Sequence, residues 1–260
     1  MANSICLIDT SKCIGCRGCQ AACKQWNQLP AEDTVFTGSY ENPPRFSANT
    51  YLRVAFREHG ENGKVDFLMA KLGCMHCTDA ACMQACPAGA IYRTDAGTVH
   101  IDENKCIGCN YCVTACPFQV IGFDRLTNKA RKCTFCIDRL ENGMQPACAA
   151  ACPTGSIIFG DRRELIAKAM KRVDQLKASG KANARIYGID EVDGTAMLYV
   201  LADNPEKYGL PADPQVPIQT RIWNAVFKPL RLLVVVAVAL GLWSNRTQTK
   251  KIEQAKSESK

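Results

Sequence analysis

The residues with the clearest chemical content are Cys106-Ile107-Gly108-Cys109-Asn110-Tyr111-Cys112, closed by Cys116-Pro117. Three thiolates at i, i+3 and i+6 on a short loop suit three corners of a cubane iron–sulfur cluster. A fourth cysteine just before proline is the one that serves a neighbouring cluster. One such run therefore implies a partner run. Gly108 keeps a Cβ out of the way where the loop backbone would approach inorganic sulfide, and Pro117 favours a helix or loop start just past the ligand. Structural zinc also takes four thiolates, but a third cysteine at i+6 and a fourth at i+10 are surplus to a zinc knuckle.

Three further runs repeat the unit. They are Cys13, Cys16, Cys19 and Cys23, followed by Lys24; Cys74, Cys77, Cys82 and Cys86-Pro87; and Cys133, Cys136, Cys148 and Cys152-Pro153. Every run ends in Cys-x3-Cys, so one metal-binding unit is used four times. Of the 17 cysteines only Cys6 is left over. It sits in Ser4-Ile5-Cys6-Leu7-Ile8-Asp9, which alternates like a short strand, and reads as a small buried hydrophobe. Each final cysteine is expected to serve a neighbouring cluster, although spacing does not say which runs pair.

Composition narrows the function further. At 260 residues the chain is long enough for one or two domains with a real core. Met1 to Lys12 carries no basic region followed by an apolar one, so a secreted, disulfide-stapled protein is not expected, and the thiols read as metal-loaded. The formal charge of +7 counts every cysteine as neutral. With sixteen thiolates on four oxidised cores of roughly +2 each, the loaded protein carries about one negative charge, which weakens a nucleic-acid reading. There is no dinucleotide-binding glycine loop and no nucleophile–base constellation, and the histidines are only His59, His76 and His100. The chain reads as a wire for single electrons rather than as an enzyme. His76, inside a ligand loop, reads as a packed, hydrogen-bonded imidazole, and Trp26, just beyond Cys23, as core shielding a cluster.

The elements that must position these runs are partly legible. Tyr51 to Arg57 and Val65 to Lys71 read as strands of a hairpin around His59-Gly60-Glu61-Asn62-Gly63, covering a cluster or docking a partner. Asp161-Arg162-Arg163-Glu164 is a capping box. Leu165, Ile166, Ala169, Met170, Val173 and Leu176 then recur on one face, giving a helix to about Ala178 with Gly180 as its stop. Tyr187 to Leu201 has strand character, and Pro205 to Pro217 reads as a linker. From Trp223 to Trp243 a helix would cover about 30 Å, the thickness of a bilayer core, with Lys228 and Arg231 in its first half. The basic tail after it, Arg246 to Lys260, favours a cytoplasmic C-terminus.

With the runs in place, the chain resembles the four-cluster electron-transfer subunits of molybdopterin oxidoreductases, and within them the beta, iron–sulfur subunits of membrane-bound formate dehydrogenases. The likeness rests on Cys13-Ile14-Gly15-Cys16 to Cys23-Lys24-Gln25-Trp26-Asn27, Gly73-Cys74-Met75-His76-Cys77, Gly108-Cys109-Asn110-Tyr111-Cys112, Pro146-Ala147-Cys148, Cys152-Pro153-Thr154-Gly155, Tyr208-Gly209-Leu210-Pro211, and Leu230 within the terminal apolar stretch. It covers nearly the whole chain. Subunits of sulfur-compound reductases and hydrogenases share the cysteine pattern and form the alternative.

The resemblance implies four [4Fe-4S] clusters, held by Cys13, Cys16, Cys19 and Cys152; by Cys133, Cys136, Cys148 and Cys23; by Cys74, Cys77, Cys82 and Cys116; and by Cys106, Cys109, Cys112 and Cys86. It implies an α+β fold of two pseudo-symmetric bacterial-ferredoxin-like modules with an inserted hairpin. The expected divisions are a four-cluster domain over 1–160 with an insertion at about 27–72, an extension and linker over 161–217, a transmembrane helix over 218–245 and a tail over 246–260. The implied partners are a molybdopterin catalytic subunit carrying molybdenum or tungsten, a membrane cytochrome b subunit and membrane lipid, with no nucleic acid. The implied place is the inner membrane, with the cluster domain on the periplasmic side.

Overall fold

The computed structural model describes residues 4–61, 64–227 and 234–247. The chain enters through β1 (Ser4–Asp9), and its period-2 alternation decides what lies on each side. Ile5 and Leu7 face one apolar cluster, Cys6 and Ile8 the other, and all four are buried. A 3-10 turn over Thr10–Lys12, with the Asp9 carboxylate accepting from the Ser11 N–H, leads into the first cysteine loop and then α1 (Gly18–Trp26).

The expected hairpin is present. Strands β2 (Leu52–Glu61) and β3 (Lys64–Gly73) pair antiparallel from Leu52 opposite Gly73 to Glu61 opposite Lys64, while residues 62–63 lie outside the described residues. Short elements then alternate: α2 (Ala81–Gln84), a hairpin of β4 (Ile91–Arg93) and β5 (Val99–Ile101), α3 (Tyr111–Ala115), and a hairpin of β6 (Gly122–Asp124) and β7 (Lys129–Arg131). Two single-turn helices, α4 (Ile137–Glu141) and α5 (Ala147–Ala150), carry or flank the last cysteine run.

After them come β8 (Ile157–Asp161), α6 (Arg162–Ala178), β9 (Arg185–Tyr187) and β10 (Met197–Leu201). They complete a four-stranded sheet of order β8-β1-β10-β9, in which β1 runs parallel to β10 and antiparallel to β8. The Asp161 carboxylate caps α6 by accepting from the N–H groups of Arg163 and Glu164 at 2.8 and 3.3 Å. Leu165, Ala169, Val173 and Leu176 pack against Ile5, Leu7, Leu198 and Val200. Met170, expected on that face, is exposed instead. It stands about 100° round the helix from Ala169, outside a stripe that the other four already fill.

Two expected divisions give way. The sheet puts β8 and β10 on either side of β1, so the chain after residue 160 is part of the cluster-bearing unit, which runs from residue 1 to 217. The stretch Pro205 to Pro217 is not a free linker. Tyr208, Leu210 and Val216 are buried, the Tyr208 hydroxyl accepts from the Ala202 N–H at 3.2 Å, and Tyr187 donates to the Pro211 carbonyl at 2.8 Å. Its prolines shape turns whose side chains are held by tertiary contacts.

The second unit, residues 218–260, contains α7 (Ile218–Ile222), a π turn over Trp223–Phe227 and a helix over 234–247. Among the described residues no helix is long and apolar enough to cross a membrane. Residues 234–247 cover about 21 Å at helical rise, against about 30 Å of hydrocarbon. The middle of the expected span, residues 228–233 with Lys228 and Arg231, lies outside the described residues, as does the tail from residue 248.

Candidate metal centres

All four runs share a backbone device. The residue just before the second cysteine is left-handed in each: Gly15 at φ 66, His76 at φ 50, Gly108 at φ 73 and Phe135 at φ 55. The loop must reverse there so that both thiols of the Cys-x2-Cys pair face inward. Glycine does this without strain, whereas His76 and Phe135 hold it at a cost of about 1–2 kcal/mol each. A Cβ on Gly108 would also meet the Asn128 carbonyl oxygen at 2.7 Å, so protein backbone approaches it closely as well. The first loop lies under the inserted hairpin, since a Cβ on Gly15 would meet Met69 and Phe56.

The thiols gather in four neighbourhoods. Cys13 has Cys152 and Cys16 as thiol neighbours, and Cys19 has Cys148 first, then Cys13 and Cys152. Cys23 faces Cys133, Cys148 and Cys136. Cys77 faces Cys74, Cys116 and Cys82, and Cys112 faces Cys86, Cys106 and Cys109. Cys19 and Cys23 are one turn apart on α1, so a single helix feeds two neighbourhoods. The neighbourhoods follow one another, with Cys19 near Cys148, Cys133 near Cys74, and Cys82 near Cys112.

Burial is the largest cause raising most of these thiols, and nearby thiols add to it. Cys19, Cys82, Cys112 and Cys136 are pushed up to about 12 and Cys133 to about 11, with Cys23 and Cys77 raised further. Four thiolates could not share such a space without a strongly positive core between them. Donors are already aimed at sulfur: the N–H groups of Phe135 and Ile157 reach Cys133 and Cys152 Sγ at 3.4 Å, and Asn27 Nδ2 reaches Cys23 Sγ at 3.8 Å. Among the described residues no three His, Cys, Asp or Glu side chains converge on a point that could hold one metal ion. Zinc needs its thiolates at about 2.3 Å around a single ion, whereas a cubane spreads them over separate corners. The donor sets fit the cubane.

Cys6 is fully buried, as its strand suggested, and its thiol neighbours that of Cys148. The Cys6 thiol is the largest influence on Cys148, burial opposes it and Lys71 assists it, leaving Cys148 lowered to about 6. His76 is buried; its Nδ1 accepts from the Val99 N–H at 3.1 Å, its Nε2 is buried without a hydrogen-bond partner, and its ring meets Phe135 edge-on at 5.0 Å. Trp26 differs from expectation in being part-exposed at 39%. Its Nε1–H donates to Asp138 Oδ2 at 2.8 Å and the Arg139 guanidinium stacks over it at 4.2 Å. Lys71 and Lys132, at 2% and 3% exposure, had no signal in the sequence, where they look like ordinary surface charges.

Fold and thiols together define an electron-transfer protein with two 4Fe-4S dicluster domains. Family models of that description match residues 65–162 and 12–90, and the chain carries four [4Fe-4S] clusters. The chain is 43% identical over 240 residues to the nitrate-inducible formate dehydrogenase iron–sulfur subunit of Escherichia coli K12, covering 91% of this chain and 82% of the relative. It is 35% identical over 211 residues to the formate dehydrogenase subunit beta of Megalodesulfovibrio gigas, covering 77% and 94%. The thiosulfate reductase electron transfer subunit of Salmonella typhi is 39% identical over 155 residues, covering 59% and 73%. The chain belongs to the formate dehydrogenase iron–sulfur subunits, which transfer electrons and are not the catalytic subunits.

Proposed function

We propose that this chain receives electrons released from formate at a molybdopterin partner subunit and passes them toward a cytochrome b subunit and quinone in the inner membrane. The observation that carries the reading is the extent of the likeness to formate dehydrogenase subunits, 91% of the chain, where the thiosulfate reductase subunit matches 59%. The same wire in a sulfur-compound reductase or hydrogenase is the second reading, favoured by the thiosulfate reductase likeness.

In this reading Cys13, Cys16, Cys19 and Cys152 hold one cluster and Cys23, Cys133, Cys136 and Cys148 the next. Cys74, Cys77, Cys82 and Cys116 hold the third, and Cys86, Cys106, Cys109 and Cys112 the last. Each cubane, when bound, takes up and gives back one electron. The chain's own part is to fix the sets in sequence through α1 and the paired loops, to exclude water from the middle sets and to aim N–H donors at the sulfurs. Residues 218–245 are assigned to the membrane anchor, with the cluster unit on the periplasmic side.

The test is made on the complex purified with its partners. Formate should reduce the clusters and the distal acceptor. Replacing Cys148 should abolish acceptor reduction while the partner still reduces an artificial dye with formate. Cys6 is changed to Ser in the same chain, because its thiol is a buried neighbour of Cys148 and could stand in for it. Acceptor reduction retained in the Cys6→Ser, Cys148→Ala complex would count against the wire, and reduction by thiosulfate-linked or hydrogen-linked partners alone would favour the second reading.

A further inference from the structure

Two ammonium groups lie in the middle of the row of thiols. Lys71 is 2% exposed, at the end of β3, in a space lined by Cys23, Cys133, Cys136, Cys148, Tyr51 and Met197. Its Nζ has one hydrogen-bond contact, with Met197 Sδ at 3.7 Å, and the Tyr199 hydroxyl near it is also buried and without a hydrogen-bond partner. Lys132 is 3% exposed and donates to the carbonyls of Val99 and Cys133, with the Cys74 and Cys82 thiols among its neighbours. Neither has a carboxylate partner among the described residues.

A buried charge with no partner costs several kcal/mol, so each ammonium must be met by negative charge that the chain alone supplies only as thiolate. The counter-charge belongs to the middle two thiol sets. Cys133 is close to both lysines: Lys132 Nζ donates to its carbonyl at 3.1 Å, and it lines the space that holds Lys71. Beside the end set of Cys86, Cys106, Cys109 and Cys112 stands Lys129, which donates to the Cys106 carbonyl at 2.7 Å but is only half-buried, so solvent screens its charge where it does not screen Lys71 and Lys132.

We propose that Lys71 and Lys132 are positioning charges that raise the reduction potentials of the two middle clusters, those of Cys23, Cys133, Cys136, Cys148 and of Cys74, Cys77, Cys82, Cys116, above that of the end cluster at Cys106. Reduction of such a site adds one negative charge, with no bond made or broken. The ammonium keeps its proton throughout and favours the more negative state. The middle of the row then holds an electron more readily than its far end. The inference rests on the ligand sets proposed above, but not on formate being the donor.

The experiment is a dithionite titration of the purified complex with redox mediators, followed by electron paramagnetic resonance, in the native protein and in Lys71→Met and Lys132→Met variants, with iron counted in each. The expected result is full iron and, in each variant, a downward shift of middle-cluster signals. At a fixed applied potential the reduced-to-oxidised ratio falls about tenfold, which is about 59 mV for one electron, while the Cys106-set signal stays in place. Full iron with no signal moved, or with every signal moved alike, overturns the proposal. If Lys71→Met loses iron, Lys71→Gln and Lys71→Arg decide. Iron kept by either, with the signal lowered in Gln or unmoved in Arg, supports the charge role. Iron lost in all three makes Lys71 a packing residue and overturns it.

Discussion

His100 shows how a buried side chain without a metal role still sets a measurable property. It is buried, its Nε2 lies 3.0 Å from the Thr98 hydroxyl, and burial first, with Lys132 second, lowers it from 6.5 to about 4. The imidazole is therefore neutral in the folded chain where it would be protonated in the unfolded one. Its contribution is complete above about pH 6.5 and is lost as pH falls through about 4, amounting to at most about 3 kcal/mol. Urea unfolding of the native and His100→Gln proteins should show a shallower acid slope in the variant; equal slopes would refute the assignment. At this scale the sequence was informative only where chemistry imposes a spacing. The sixteen thiols stand out because a loop of fixed reach must present them. Lys71 and Lys132 do not, because nothing local separates a buried lysine from a solvated one, and the approach of Cys6 to Cys148 joins residues 142 positions apart.

Elements follow the same division. The helix at 162–178 was legible because its cap, its first-turn glutamate and its apolar spacing agree, and the structure adds only that Met170 lies off the packed stripe. Asp161→Ala removes the two hydrogen bonds to Arg163 and Glu164 N–H and should cost about 1 kcal/mol. A lowered urea midpoint with unchanged iron content would match that; an unchanged midpoint would show that the cap is idle. The hairpin was legible from two alternating stretches around a glycine-rich turn. That it lies over the first cysteine loop was not, since Met69 and Phe56 reach Gly15 only in the folded chain. The segment Pro205 to Pro217 was misread for a comparable reason. Proline composition is a local signal for turns, while the burial of Tyr208 and Leu210 depends on partners far away in sequence.

At the scale of the molecule, the unit of residues 1–217 contains all sixteen run cysteines. A chain ending at residue 217 should therefore bind about sixteen iron and as much acid-labile sulfide, as the full chain does. About four zinc and no sulfide would contradict the cluster assignment. The row of sets could not be read from spacing, because in the sets proposed here each takes one thiol from another run, and only folding chooses which. The central place of β1 also bears on how the protein is made. Its neighbours β8 and β10 begin about 150 and 190 residues after it, and β1 leads directly into the loop of Cys13 and Cys16. While a ribosome is still translating the middle of the chain, that strand has neither flank and its loop has only the inserted hairpin against it. The sheet that seats the N-terminal loop therefore closes only after β10 has left the exit tunnel, so the first thiols synthesised are fixed in place by some of the last residues of their unit.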